Sequence, residues 1–285
     1  MAQVQIHINL AAQKQHHDFQ QQKFNLAGTE RAGKLARSFL YPPRVPMTAD
    51  VDYLNRYDAS RFPSPLVTVD SVLFTLHQQS LCVLLVERAA PPQQGLWGLP
   101  GGFIDMQQDD GTRATALRKL TEKTGIVPSW LEELGTVSGP GRDPRGWSLT
   151  VAWFALIAWE DCEPHIATVS DARWVPVEQL GDYALAFDHG DIIQMALSRL
   201  RQKTMYSLLP VYALPACFTH GQLQEATEII LGQPIQRKSL IRRFEASGMF
   251  EETGESAATG ARKARLWRRK PGVDIHLFSR NLLAD

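Results

Sequence analysis

Short runs of β-branched and apolar residues, separated by polar turns, predict the strands of one domain that begins near Ser64. Runs at residues 66–76, 81–86, 149–157 and 172–177 are typical of buried or half-buried strands. Between the second and third runs, Ala114, Leu117 and Leu120 form the apolar stripe of a helix over about 112–124. Gly125 stands where a helix commonly ends in a left-handed residue. This order predicts a layered α+β domain.

A second set of helical patterns follows the last strand. Apolar positions over about 188–203 predict one long helix. Thr219 and Gln222 have the spacing of a capping box, which predicts a helix that ends at Gly232. Another helix is expected over 236–247, before two strand-like pieces at 249–252 and 265–268. Helix, turn, helix and β-hairpin is the order of a winged helix, so we predict one over residues 204–285.

The charge distribution adds a function class to this picture. The chain of 285 residues has a formal net charge of zero, but residues 234–270 contain ten Lys and Arg against four acids. A basic surface confined to one end favours a polyanion as partner, whereas the alternative is an ordinary solvated face.

The rest of the composition narrows the class. No apolar run approaches the ~20 residues of a membrane span, and no signal peptide is visible. Cys82, Cys162 and Cys217 are far apart and lack metal-ligand spacing, so we expect reduced thiols in or near cores and a cytoplasmic protein. Residues 1–46 are rich in Gln and His without a sustained period, and we interpret them as a disordered extension.

Residues 98–126 carry the most specific chemical pattern. They contain a double glycine at 101–102, a short loop, and a helix with Arg118 that ends at Gly125-Ile126. This frame resembles the Nudix box, in which Gly, five residues, Glu and seven residues precede Arg-Glu-aliphatic-any-Glu-Glu-any-Gly-aliphatic. In a working box, glutamates on one helix face bind Mg²⁺ or Mn²⁺, and the metal activates water against a pyrophosphate. The resemblance implies a phosphate-binding pocket.

Two of the three glutamates in the closing half of the box are replaced by lysine. Lys119 and Lys123 occupy the first and third of these positions, and only Glu122 remains, with Arg118 as its expected i−4 partner. Such a site should repel a divalent cation, so we predict no catalytic residue, no metal site and no hydrolysis. The lysines either contact a pyrophosphate directly or are solvated helix residues.

The upstream glutamate of the box has no clear counterpart. Counting from Gly102 reaches Gln108, whereas counting back from Arg118 reaches Asp110, because the loop is two residues longer than the pattern. The alternative is an active hydrolase in which the metal has moved to Asp109, Asp110 and Glu122.

The candidate ligand-binding residues share this frame or lie in loops next to it. They are Arg88, Trp97, Gly101, Gly102, Phe103, Arg118, Lys119, Glu122, Lys123, Arg142, Arg145 and His189. Gly101 and Gly102 let backbone amides approach phosphate oxygens. The arginines at 142 and 145 suit phosphate or ribose contacts, or else form a salt-bridged turn. Trp97 is either an adenine or ribose contact or a core aromatic, and His189 either faces the pocket or is a solvated cap.

The candidate DNA-binding residues lie on the second helix of the winged helix and on its hairpin. They are Arg237, Lys238, Ser239, Arg242, Arg243, Arg262, Lys263 and Arg265. On the helix, the basic positions lie opposite Leu240 and Phe244, as in a recognition helix that enters a major groove. Arg242 or Arg243 is expected to read a guanine edge, and Lys238 to contact phosphate. Trp267 is expected to anchor the hairpin to the core.

Both halves together resemble the Nudix-related transcriptional regulators of NAD metabolism, the NrtR family. The segments that carry the resemblance lie at 57–70, 95–105, 141–153, 185–193 and 218–255, in that order, and it covers about 47–285. It implies a Nudix-type α/β/α sandwich over 47–203, followed by a C-terminal winged helix-turn-helix domain. It also implies a homodimeric repressor of NAD biosynthesis and salvage operons that binds an inverted-repeat DNA operator. ADP-ribose or a related NAD metabolite is the implied effector, and no cofactor is required.

Three function classes therefore stand after the sequence alone. The first is a repressor controlled by a nucleotide bound in a catalytically dead Nudix domain. The second is an active Nudix hydrolase of ADP-ribose-type compounds with an accessory nucleic-acid-binding domain. The third is an RNA-binding adaptor in which the hairpin follows the backbone.

Overall fold

The computed structural model describes residues 48–161, 172–259, 262–273 and 275–283. The interpretation of residues 1–46, the thiol of Cys162 and the side chain of Arg262 lie outside what it describes. The chain forms two compact units, which divide between Pro63 and Ser64.

The first unit contains a helix, α1, at Thr48–Arg56 and a 3₁₀ turn at Ala59–Arg61. The carboxylate of Asp58 caps the turn, because it accepts hydrogen bonds from the amide and the hydroxyl of Ser60 at 3.0 and 2.6 Å. These hydrogen bonds lower the pKa of Asp58.

The second unit begins with a seven-stranded mixed sheet. Its strands are β1 (Leu66–His77), β2 (Ser80–Glu87), β3 (Trp97–Gly98), β4 (Gly101–Phe103), β5 (Glu132–Gly139), β6 (Ser148–Leu156) and β7 (Ala172–Pro176). They lie in the order β3-β2-β1-β6-β5, while β4 also pairs with β1 and β7 with β2. The central pair, β1 and β6, is parallel, and Asp70 lies opposite Ala152 in its register. The four predicted strands are confirmed to within two residues at each end.

One helix covers each face of this sheet. Helix α2 (Thr112–Thr124) packs Ala116 and Leu120 against Leu73, and helix α3 (His189–Tyr206) packs against the opposite face. Neighbouring residues of β1 point to opposite faces, which explains why Val72, Leu73 and Phe74 are consecutive apolar residues. The α/β/α sandwich is confirmed, and Gly125 ends α2 with φ of 70° as expected.

The predicted stripe of α2 is only partly right. Leu120 is buried, but the fully buried partners in the first turns are Thr115 and Ala116, while Ala114 and Leu117 are only partly buried. Thr115 can be buried because its hydroxyl donates to Asp109, which satisfies the polar group inside the protein.

A winged helix follows α3 through a 3₁₀ turn at Leu209–Ala213. It consists of β8 (Cys217–Phe218), α4 (His220–Leu231), α5 (Arg237–Ser247), β9 (Phe250–Thr259) and β10 (Arg262–Arg269). Both bonds of the capping box at Thr219 and Gln222 are present. The strands are longer than predicted, because Ala257 and Ala258, which lie between the two predicted pieces, pair with Ala264 and Lys263.

The winged helix shares part of its core with the sandwich. Leu209 and Ile230 pack in the same apolar cluster as Ile192 of α3. Arg201 of α3 also donates to the carbonyl of Ile230 at 3.1 Å. The long helix α3 is therefore the structural connection between the two halves of this unit.

Two smaller expectations can be compared with the described residues. Within them, no helix is long and apolar enough to cross a membrane. Cys82 is buried as expected, and its desolvation raises the pKa of the thiol to about 11. Cys217 is exposed, so its predicted place in or near a core is wrong, because the short strand β8 turns this side chain outward.

Candidate functional site

A cleft of about 140 Å³ opens where β1, β4 and the start of α3 meet. Most of its lining residues come from the strand ends and from the loop before β6. They are Thr68, Asp70, Arg88, Leu99, Gly101, Gly102, Phe103, Lys123, Arg142, Asp143, Arg145, Phe187 and His189.

Buried, charged side chains form the floor of this cleft. Arg142 donates through Nε and Nη2 to the two carboxylate oxygens of Asp188, each at 2.9 Å, and its Nη2 lies 3.8 Å from Asp70. The Nδ1 atom of His189 accepts the amide hydrogen of Leu99 at 2.9 Å, so the remaining proton is on Nε2. Burial lowers the pKa of His189, which keeps the ring neutral.

Cationic side chains stand around the mouth of the cleft. The guanidinium of Arg88 lies 4.6 Å from the ring centroid of Phe187, and that of Arg145 lies 5.2 Å from the ring centroid of Phe103. Burial, followed by the charge of Arg145, lowers the pKa of Arg88. Lys123 is solvent-exposed as a residue, yet protein atoms surround its amine, and this desolvation lowers its pKa. A bound anion would relieve both effects.

Not every cation at the mouth is free to move. Arg145 donates through Nε and Nη2 to both oxygens of Asp143 at 3.0 and 2.7 Å. This pair lowers the pKa of Asp143 and raises that of Arg145. The predicted salt-bridged turn is therefore present, and it holds Arg145 at the cleft.

Arg118 ties the loop of the box to α2. Its Nε and Nη2 donate to the carboxylate of Asp109 at 2.7 and 2.5 Å, and its Nη1 donates to Glu122 at 3.0 Å. Asp109 accepts two further hydrogen bonds, from the amide of Asp105 and the hydroxyl of Thr115. The bonds from Arg118 are the main reason why the pKa of Asp109 lies far below its usual range. Asp109, and neither of the positions reached by counting, is the acid that faces Arg118.

Glu122 is also bound by its other neighbour. The amine of Lys119 donates to Glu122 at 2.9 Å, and Lys119, followed by Arg118, lowers the pKa of this carboxyl group. The aliphatic part of Lys119 lies across Gly102, since a Cβ atom built there would be 3.1 Å from Cε of the lysine. Lys119 therefore covers the glycine turn from outside the cleft.

Two glycines allow the floor to close. A Cβ atom at Gly98 would lie 2.7 Å from Nδ1 of His189. A Cβ atom at Gly101 would overlap the carboxylate of Asp70 and the carbonyl of Val69. The close approach of β3 and β4 to the floor residues therefore requires glycine at both positions.

The winged helix presents a second candidate site on α5. Leu240 and Phe244 are buried, and Arg237, Lys238 and Arg242 are exposed. Lys238 and Arg242 are four residues apart, so they lie on the same face of the helix. This face has the chemistry and spacing of a helix that enters a major groove.

Arg243 lies beside this face but points toward the C-terminal segment. Its Nη2 donates to the carbonyls of Asn281 and Arg280 at 2.9 and 3.3 Å, its Nη1 donates to the hydroxyl of Ser239, and its charge lies 5.3 Å from the ring of Phe278. The same segment reaches α3, because the amide of Phe278 donates to the carbonyl of Tyr206 at 2.7 Å. Arg243 therefore fastens α5 to a segment that α3 also holds.

Comparison with known proteins identifies both domains of the chain. The profile of the NUDIX domain matches residues 65–196, and that of the NrtR DNA-binding winged helix domain matches residues 210–268. A protein of Acinetobacter baylyi, the ADPR responsive transcriptional repressor NtrR, is 44% identical over 225 residues, which are 79% of this chain and 90% of that protein. The chain belongs to the NrtR family.

Two solved structures of NrtR from Shewanella oneidensis are similar to this NrtR-family chain. One is complexed with a 27mer DNA; it is 47% identical, with a TM-score of 0.72, and the match covers 76% of this chain and 99% of that one. The other is the NUDIX domain complexed with ADP ribose; it is 50% identical, with a TM-score of 0.50, over 54% of this chain and 99% of that one.

The cleft of this family member brings together only part of the predicted ligand-binding set. The predicted residues that line it are Arg88, Gly101, Gly102, Phe103, Lys123, Arg142, Arg145 and His189. Arg118, Lys119 and Glu122 lie outside the lining, since they bind one another and Asp109. Trp97 packs edge-on against Tyr183 at 5.6 Å, as a core aromatic.

Sequence reasoning missed several lining residues of the cleft. Thr68 and Asp70 lie in β1 among apolar residues, and Leu99 is a buried residue between β3 and β4. Phe187 is not among the predicted ligand-binding residues, and its backbone has a positive φ of 51°. Strained positions of this kind often occur at binding sites, so the φ value is a signal that only the structure provides.

The relocated metal of the hydrolase alternative has no support in the geometry. Asp109 and Glu122 are both bound by Arg118, and Asp110 is exposed. Among the residues that the structure describes, no three His, Cys, Asp or Glu side chains are grouped to hold a metal ion.

The basic residues of the winged helix also divide into two groups. The guanidinium of Arg243 donates a hydrogen bond to the hydroxyl of Ser239, so these two predicted residues contact each other. Arg237 donates to Gln224, and Arg265 lies 3.4 Å from Glu252, but both remain exposed, as does Lys263. Trp267 stacks on His220 at 5.2 Å, which confirms that it anchors the hairpin. Arg280, which the sequence reading left out, is exposed beside Arg242.

Proposed function

We propose that this chain is a DNA-binding transcriptional repressor of NAD biosynthesis and salvage genes. ADP-ribose or a related NAD metabolite, bound in the cleft of the Nudix-like domain, controls its affinity for an operator. No cofactor takes part. The ligand-binding and DNA-binding domains of the proposal span 47–203 and 204–285.

The observation that carries the proposal is that α2, the helix of the Nudix box, has lost its free carboxylates. Lys119 and Lys123 stand at two positions that resemble metal-binding glutamates, and the remaining Glu122 is bound by Arg118 and by Lys119. One carboxylate occupied by two cations does not hold a catalytic Mg²⁺, because that ion needs oxygen ligands and substrate phosphates without a competing charge. The cleft therefore binds the nucleotide and leaves it intact.

The cationic mouth supports an anionic effector. Arg88, Lys123 and Arg145 face the cleft, whereas Arg142 in the floor is already paired with Asp188. A diphosphate would bring negative charge to Arg88 and Lys123 and form charge-assisted hydrogen bonds with them. The similarity to the NUDIX domain complexed with ADP ribose supports ADP-ribose as this diphosphate.

The exposed face of α5 supports DNA as the second partner. Lys238 and Arg242 provide phosphate and base-edge contacts, and Arg265 and Lys263 on the hairpin extend the basic surface. We propose a homodimer, in which two such helices lie about one DNA turn apart on an inverted repeat. A repressor must meet the chromosome, so a cytoplasmic location is part of the proposal.

A gel shift on the promoter of the chain's own operon tests this function. The expected result is a retarded duplex at low salt that ADP-ribose releases without added metal. A scrambled duplex of equal length is the control, since basic proteins retain some affinity for any DNA. No retardation at low salt, or equal retardation of both duplexes, would remove the proposal.

A further inference from the structure

Asp70 is a buried carboxylate in the cleft floor whose side chain receives no hydrogen bond from the described residues. Its side chain is 10% exposed, and the charged or titratable groups beside it are Nη2 of Arg142 at 3.8 Å and Nε2 of His189 at 3.9 Å. Both distances are too long for hydrogen bonds. Removing a carboxylate from water is costly unless donors replace the water, so this group is arranged to accept hydrogen bonds from something that enters the cleft.

The position of Asp70 determines which part of a ligand it can meet. A phosphate beside it would be repelled, because like charges placed together cost several kcal/mol. The phosphates therefore belong at the mouth, with Lys123, Arg88 and Arg145. The group that reaches the floor must instead carry hydrogen-bond donors.

The size of the cleft restricts this group further. A protein cavity of about 150 Å³ is known to hold one benzene ring, so a cleft of about 140 Å³ accommodates one small ring and not both halves of a dinucleotide. Carboxylates bind ribose hydroxyls in nucleotide-binding proteins. The neutral His189, whose proton is on Nε2, adds a donor for the oxygens of such a ring.

We infer that Asp70 accepts hydrogen bonds from the hydroxyls of the sugar at the distal end of the diphosphate, and so selects a nucleoside diphosphate sugar over a nucleoside diphosphate. The adenine lies outside the floor, where the ring of Phe103 is 45% exposed. This inference rests on the proposed function, since it names the residue that reads the end of the effector.

Calorimetry with ADP-ribose, ADP and AMP in the presence of a chelator tests the inference. Asp70→Asn should weaken ADP-ribose binding about 10- to 100-fold, because a hydrogen bond to a charged group is lost. ADP and AMP, which lack the distal sugar, should bind the variant within about twofold of the wild type. Asp191→Asn is the matched control, since this acid is exposed on α3 and outside the cleft.

Several outcomes would overturn the inference while the proposed function stands. These are unchanged ADP-ribose affinity in Asp70→Asn, a gain of affinity, or an equal loss for all three nucleotides. If the variant does not fold, the wild type is titrated with an ADP-ribose analogue that lacks the distal ribose hydroxyls. Binding of this analogue as tight as that of ADP-ribose overturns the inference, and weakening of about tenfold supports it. A wild type that binds none of these nucleotides contradicts the proposed function and the inference together.

Discussion

Arg118 binds both carboxylate oxygens of Asp109, through Nε at 2.7 Å and Nη2 at 2.5 Å, and so joins the loop before α2 to the helix itself. Two-point pairs of this kind fix geometry as well as charge. The pair lowers the pKa of Asp109 and occupies both oxygens of its carboxylate.

The stability conferred by this pair should depend on pH. The pKa of Asp109 is lowered by folding, so its contribution is fully present above the unfolded value of about 3.9 and is lost as pH falls toward the folded value. Asp109→Asn removes the titration. Urea unfolding from pH 7 to pH 3.5 should show a stability gap between wild type and variant that narrows below about pH 5. A gap of constant size would show that the charge of Asp109 is not what stabilises the loop.

Lys123→Glu should weaken ADP-ribose binding in the absence of metal. The change places a carboxylate at a cleft mouth whose other cations attract the diphosphate. We expect a loss of about 10- to 100-fold by calorimetry, because opposite charges a few ångströms apart at a protein surface interact by a few kcal/mol.

Arg113→Glu is the control for Lys123→Glu. It makes the same change of charge on the exposed first turn of α2, away from the cleft. Equal affinities of the two variants would show that Lys123 does not face the ligand.

Arg242→Ala should weaken operator binding and reduce its salt dependence. Arg242 is exposed on α5 with Lys238, and a specific contact with a base edge is worth about 1–3 kcal/mol. Fluorescence anisotropy at several KCl concentrations should show a loss of about 5- to 150-fold, or, if the contact is with phosphate, a salt slope smaller by about one. Arg113→Ala removes the same charge elsewhere, and a similar loss in that variant would contradict the assignment.

Arg243→Ala should show the opposite behaviour. Its hydrogen bonds to the carbonyls of Asn281 and Arg280 hold the C-terminal segment. We expect the free energy of unfolding of the variant to fall by about 1–2 kcal/mol. The salt slope of operator binding should stay at the wild-type value, because this guanidinium is not directed at phosphate. A lower slope with unchanged stability would place Arg243 on the DNA instead.

Much of the fold followed from local signals in the sequence. The apolar residues of β1, the glycine after α2 and the capping box at Thr219 are all patterns within short stretches of sequence. These signals survive folding because tertiary packing reinforces them. The sandwich and the winged helix could therefore be predicted before the structure.

The site depended on long-range contacts that a pattern does not contain. Asp109 reaches Arg118 because the loop folds back, and counting along the chain reached its neighbours instead. Asp70 is hidden in an apolar strand, and it becomes a cleft residue only because Arg142 and His189 arrive from the distant segments before β6 and at the start of α3. Arg243 is basic, as the sequence shows, but the C-terminal segment that accepts its hydrogen bond has no sequence pattern that predicts this contact.

The most direct test of the account is the affinity of the protein for its operator, measured by anisotropy with and without saturating ADP-ribose in the presence of a chelator. We expect ADP-ribose to weaken operator binding at least about fivefold, the lower end of typical couplings between two sites. Chromatography of the same samples should recover the nucleotide intact. Unchanged operator affinity, or cleavage of the nucleotide at an enzymatic rate, would contradict the account.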